Sequence, residues 1–161
     1  MKVRIGVGAG GVALAPGTLA ELVAGLDELG FDSLWLSEVL TGPVLDPVVG
    51  LSWAAASNAR VKLGTTMLLP GRNVLRLAKQ LASLDVLCQG RLLVTLVPGL
   101  TYSPEREAIG LDPRRRGPFI DEALPLLRRL WAGETVSHEG AAGSLRDVAL
   151  RPVPVQQPLE V

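Results

Sequence analysis

Four times along the chain a short apolar run that reads as a buried strand is followed by a stretch with helical spacing, and this alternation limits the fold more than any other feature. The runs are residues 3–7, 33–36, 60–69 and 91–97. Between them, Leu19, Leu22, Val23, Leu26 and Leu29 form one helical stripe, and Leu77, Leu81 and Leu84 form another. Thr18 with Glu21 predicts a capping box at the first helix, Gly30 its end, and Asp46-Pro47 the start of a second helix running to about Asn58. A fourth helix is expected from Pro118 to Trp131, kinked at Pro125, whose ring and missing N–H oppose a helix interior. Residues 133–143 read as an irregular excursion. The proline-rich 151–158 reads as an extended linker into Leu159-Glu160-Val161, the first residues of a fifth strand. Repeated strand-helix units give a parallel sheet, either open and doubly wound or closed as an eightfold barrel. A complete barrel takes roughly 250 residues, so the 161 residues here do not close one alone.

Composition narrows the function. Sixteen basic and sixteen acidic residues balance, so no global field favours nucleic acid or an anionic membrane. One cysteine and one histidine supply neither a disulfide framework nor a common structural zinc set, and no stretch of eighteen uncharged apolar residues spans a membrane. A cytoplasmic, metal-free protein is expected. Gly8-Ala9-Gly10-Gly11 lacks the full dinucleotide fingerprint. Arg114-Arg115-Arg116 reads as a solvated face, with a phosphate contact as the sharper alternative, and Cys88 as an inert thiol. The polar loop after the fourth strand carries Tyr102, Glu105, Arg106 and Glu107.

Ordered blocks across the chain carry a resemblance: Gly30-Phe31-Asp32-Ser33-Leu34-Trp35; Leu63-Gly64-Thr65; Arg72-Asn73 with Leu77-Ala78-Lys79-Gln80-Leu81-Ala82-Ser83-Leu84-Asp85; Gly90-Arg91-Leu92; and Leu130-Trp131-Ala132-Gly133-Glu134 leading to Pro152-Val153-Pro154-Val155-Gln156. Together they resemble the luciferase-like monooxygenase superfamily, in its actinobacterial deazaflavin (F420)-dependent branch. The resemblance implies an α/β fold of TIM-barrel type. Residues 1–161 would be one partial barrel domain with strands one to four and the start of strand five, 133–158 being an insertion and linker, and the second half absent.

The same resemblance implies an oxidoreductase moving hydride between reduced coenzyme F420 and an organic substrate, incomplete as this short chain. FMN is the alternative cofactor, in a monooxygenase fragment, and a third outcome is that this chain alone holds no cofactor. Glu38, at the end of strand two, matches the family's acidic residue and is the catalytic candidate, although Val39 stands where relatives often have histidine and His138 lies far along the chain. Thr65, Met67 and Leu68 match the strand that presses on the redox ring, often with a nonproline cis peptide. Arg72 and Asn73 match the pocket-side start of helix three, and Gly99 the mouth after strand four, where Thr95, Val97 and Pro98 narrow the room. Asn73 also reads as a plain helix cap and Met67 as core packing. A noncatalytic half barrel with a structural or binding role is the other class. The exposed edges of a half barrel predict a partner, expected to be a second copy in a homodimer.

Overall fold

The computed structural model describes residues 3–9, 16–99, 104–110 and 112–161, with the side chains of Pro16, Asp27 and Arg106 outside that description. Gly10, Gly11 and Tyr102 also lie outside the described residues. The chain runs β1 (Gly6–Gly8), α1 (Pro16–Glu28), β2 (Ser33–Ser37), α2 (Pro47–Ser57), β3 (Lys62–Leu68), α3 (Val74–Leu87) and β4 (Leu92–Val97). It continues through a short α4 (Pro104–Ala108), a 3-10 turn at Pro113–Arg115, α5 (Arg116–Trp131), β5 (Thr135–Gly140) and β6 (Gly143–Ala149).

The four-stranded sheet is parallel and ordered β1-β2-β3-β4. That sequential order settles the choice the pattern left open. A doubly wound sheet reverses direction beside its first strand, whereas a barrel adds each strand to the last. Leu159-Glu160-Val161, expected from the sequence to open a further strand of this sheet, lie against β4, where the Val94 N–H donates to the Glu160 carbonyl at 3.2 Å and Leu159 is buried.

Strand alternation gives the sheet two faces. Register places Leu34 beside Leu63 and Leu92, and Leu36 beside Thr65 and Val94; these residues are buried under the helices, and a Cβ on Gly50 of α2 would lie 2.6 Å from Leu36. The other face carries Trp35, Gly64 and Leu93 side by side, then Ser37, Thr66 and Thr95. The Trp35 indole lies over Gly64, where a Cβ would come within 2.2 Å of the ring, and its Nε1–H donates to Ser33 Oγ at 3.0 Å. In barrel terms this is the inner face. Its Thr95 is exposed, and Thr66, Leu68, Leu93 and Val97 are only half-buried.

Several expectations need correction. β1 is shorter and later than 3–7, beginning at Gly6. The first helix starts at Pro16, so Thr18 and Glu21 lie within it and form no capping box; proline suits a first helical position because that N–H has no intrahelical acceptor. The helix expected over Pro118 to Trp131 is α5, which begins two residues earlier, at Arg116, and carries Pro125 on its exposed side. Residues expected to be irregular form the antiparallel β5-β6 hairpin. The cis peptides among the described residues precede Pro152 and Pro158, and none occurs between Thr65 and Leu69.

Candidate active site

β2 and β3 end side by side, and the residues just past those ends build the site. Glu38 follows the last residue of β2, and its own N–H donates to the Thr66 carbonyl at 2.8 Å, which continues the sheet pairing by one step. Its side chain is only 3% exposed, and both carboxylate oxygens are engaged. Oε2 accepts from the Leu68 N–H at 2.8 Å, and Oε1 pairs with Arg72 Nη2. A buried carboxylate holds its charge only with such partners.

Arg72 stands in the turn between β3 and α3. Its Nε–H donates to the Leu68 carbonyl at 2.8 Å, so one residue, Leu68, is bonded at its N–H by Glu38 and at its carbonyl by Arg72. The turn is possible because Gly71 adopts a φ of +85°, a conformation most side chains resist. Next to it Asn73 caps α3, its side-chain oxygen accepting from the Arg76 N–H at 3.0 Å.

Glu38, Leu68 and Arg72 line an open pocket of about 210 Å³, together with Leu40, Pro70, Gly71 and Ile109. The far wall is held by a second carboxylate. Thr41 donates both its N–H, at 2.9 Å, and its hydroxyl, at 2.7 Å, to Glu105 Oε1 in α4. These bonds, the hydroxyl's first, hold the Glu105 carboxyl below its usual pKa. Gly99 borders the same region: its φ is +80°, a Cβ there would lie 2.9 Å from Leu68 Cδ2, and its carbonyl accepts from Arg116 Nη1 at 2.9 Å.

The expected site residues therefore divide. Glu38, Leu68 and Arg72 meet at the pocket, Gly99 abuts Leu68, and Asn73 serves as a cap. Thr65 and Met67 lie wholly buried on the helix-covered face with Leu63, and do not line the pocket. Glu38, the catalytic candidate, is a carboxylate whose two oxygens already accept bonds from Leu68 and Arg72. Leu40, Ile109 and the Thr41–Glu105 link were not anticipated. The β2 and β4 loops that supply them are joined only by the fold, and no spacing in the sequence announces it.

Elsewhere, Arg116 is committed to the Gly99 and Pro113 carbonyls, while Arg114 and Arg115 are exposed. His138 lies in β5, paired with Glu122 of α5 at 3.1 Å. The Ala142 N–H first, and His138 after it, keep the Glu122 carboxyl below its usual pKa. Cys88 is buried, and burial pushes its thiol pKa up. Among the described residues no helix is long and apolar enough to cross a membrane, and no three His, Cys, Asp or Glu side chains cluster as a metal site.

A model of the luciferase-like monooxygenase family matches residues 2–161. The chain belongs to that family. Among its luciferase-like relatives, the F420-dependent glucose-6-phosphate dehydrogenase of Kineococcus radiotolerans is 31% identical over 168 residues, covering 94% of this chain and 49% of the relative. Limonene 1,2-monooxygenase of Rhodococcus erythropolis is 33% identical over 138 residues, covering 83% and 35%. The crystal structure of the monooxygenase RslO1 from Streptomyces bottropensis superposes with a TM-score of 0.85 at 31% identity, over 98% of this chain and 52% of that one. The chain thus spans about half the length of the luciferase-like proteins it matches, and its sheet is the first half of a barrel of this family.

Proposed function

We propose that this chain is the ring-binding half of an oxidoreductase that moves hydride between the deazaflavin coenzyme F420 and an organic substrate. The observation that carries the reading is the Glu38–Arg72 pair in an otherwise apolar pocket at the carboxyl ends of the parallel strands, where barrels of this kind place their chemistry. The similarity to an F420-dependent dehydrogenase supports that choice of cofactor. The pocket fits part of such a group: apolar walls from Leu40, Leu68, Pro70 and Ile109 for a flat ring, and a guanidinium for a polar edge. When bound, the deazaflavin supplies a two-electron hydride couple that no side chain can supply.

The chain's own residues bind and orient. Glu38 fixes the Arg72 guanidinium, both residues fix the end of β3 through Leu68, and the Thr41–Glu105 link keeps Leu40 and α4 in place to limit water. The similarity to a limonene monooxygenase and to RslO1 favours a second reading, a flavin-dependent monooxygenase with FMN in the same pocket. In either case the active unit is proposed to be a homodimer, because one copy leaves Thr95 on the inner face of its sheet exposed.

Titration with oxidised and reduced F420, with FMN as competitor, tests the reading alongside solution mass. Saturable F420 binding that FMN does not displace is the expected result. Preferential FMN binding moves the assignment to the monooxygenase, and binding of neither overturns both in favour of a noncatalytic half barrel.

A further inference from the structure

Charge accounting in the pocket limits what it can hold. Arg72 brings one positive charge and Glu38, its ion-pair partner, one negative; among the described side chains every other lining residue is uncharged. An anion entering here would lose hydration without meeting net positive charge. The guanidinium is nonetheless not spent. Of its five N–H groups, Nε–H goes to the Leu68 carbonyl and one Nη2–H to Glu38, and among the described residues the two Nη1 hydrogens have no partner. What remains is three coplanar N–H donors, the two on Nη1 and the second on Nη2, in an apolar setting.

We infer that this pocket recognises the neutral, carbonyl-bearing edge of a ring rather than an anion, with Arg72 Nη1 as the donor and Glu38 as a positioning residue that aims the guanidinium and cancels its charge. The inference rests on the ring-binding reading above and adds which part of a ligand this site selects. A ring carbonyl loses less hydration than a carboxylate or phosphate and is matched by one directed N–H donor. The Leu40, Leu68, Pro70 and Ile109 walls suit the apolar body behind that edge. Any anionic tail would have to lie outside this pocket.

The test follows the Arg72 Nε–H and the Leu68 amide by NMR in the full chain. The probes are lumichrome, a neutral tricycle with two ring carbonyls and no phosphate, and inorganic phosphate and acetate as anions. Lumichrome is expected to shift both signals saturably, whereas either anion at about 100-fold higher concentration leaves them in place, as the missing net charge requires. In Glu38→Gln the uncancelled charge is expected to bring phosphate onto Arg72 while lumichrome weakens about tenfold. A loss of structure alone would not produce that reversal. Arg72→Lys keeps the charge pair but removes the planar fork, and is expected to lose lumichrome without gaining phosphate.

Phosphate or acetate shifting the wild-type signals at concentrations comparable to lumichrome overturns the inference, as does failure of lumichrome to bind. F420 or FMN binding with both signals unmoved also overturns it but leaves the cofactor reading intact. Lumichrome moving both signals in a chain that binds neither cofactor does the reverse. The wild-type titration decides the matter even if Glu38→Gln fails to fold.

Discussion

Thr65 is wholly buried in β3, and its hydroxyl has no hydrogen-bond partner among the described residues. Such a group costs about 1 to 3 kcal/mol in desolvation. Thr65→Val keeps the shape and removes the cost, so it is expected to raise stability by about 1 kcal/mol, read as a higher urea midpoint at unchanged slope. Because Thr65 points to the helices, the same variant should leave ring binding unchanged. Its place explains why the site was only partly legible in the sequence. The run from Leu63 to Leu69 is apolar almost throughout, as expected of a strand covered on both faces, so the sequence does not reveal which alternate residues meet the mouth. One signal was available: Gly64 lies opposite Trp35, and a glycine beside a large ring marks the inner face, which puts Thr65 and Met67 on the other. Glu105 offers a pH test at the same scale. Its folded pKa is depressed by Thr41, so the link is intact above the ordinary carboxylate range and is lost as pH falls through the lowered value. The Thr41 amide shift should therefore titrate below the ordinary glutamate range, and Thr41→Val should move the Glu105 titration upward.

At the scale of elements, the regular units were legible where an apolar run or stripe met a cap or a stop. Asp46 and Asn73 cap α2 and α3 as their positions imply, and Gly30 and Gly90 take the positive φ that ends a unit. The hairpin was not legible. Its strands carry few apolar residues, chiefly Val136, Leu145 and Val148, and its turn at Ala141 and Ala142 has none of the Asn-Gly or Asp-Gly chemistry that marks a two-residue loop. The linker after it is fixed by a contact no pattern reveals. Asp85, fully buried on α3, accepts from the Gln156 N–H at 2.9 Å and its side-chain amide at 2.7 Å, and that amide also donates to the Leu92 carbonyl at 2.8 Å. This latch brings residues 159–161 alongside β4. Asp85→Ala strands both Gln156 donors near the core, and its expected cost is about 3 kcal/mol in chemical denaturation, with faster exchange of the Val94 amide that pairs with Glu160. Pro125 points the other way. It denies α5 one hydrogen bond yet faces solvent, so Pro125→Ala should stabilise the fold by about 1 kcal/mol or more without disturbing the core.

For the whole molecule, the decisive quantity is the cover on the inner sheet face. The helix-side face buries Leu34, Leu63, Met67 and Leu92 completely or nearly so, whereas the inner face leaves Thr95 exposed and Leu93 and Val97 half-buried. In a barrel those residues would pack against strands from the opposite wall. A second copy offers a surface of the same kind, related by a twofold axis, and a twofold contact needs only one self-complementary patch. The expected solution mass is therefore twice 17.0 kDa. Thr95→Lys puts a charge in the middle of that contact and should return the protein to monomer, because a lysine buried without a partner is strongly disfavoured. The rival contact runs through α2, an uncharged helix whose outer side exposes Val49 and Trp53. Trp53→Lys separates the two by sedimentation: a dimer that survives Trp53→Lys and dissociates in Thr95→Lys joins through the sheet. The opposite pattern joins it through helices and leaves each inner face open, in which case the ring pocket belongs to each copy separately and its affinity is independent of protein concentration.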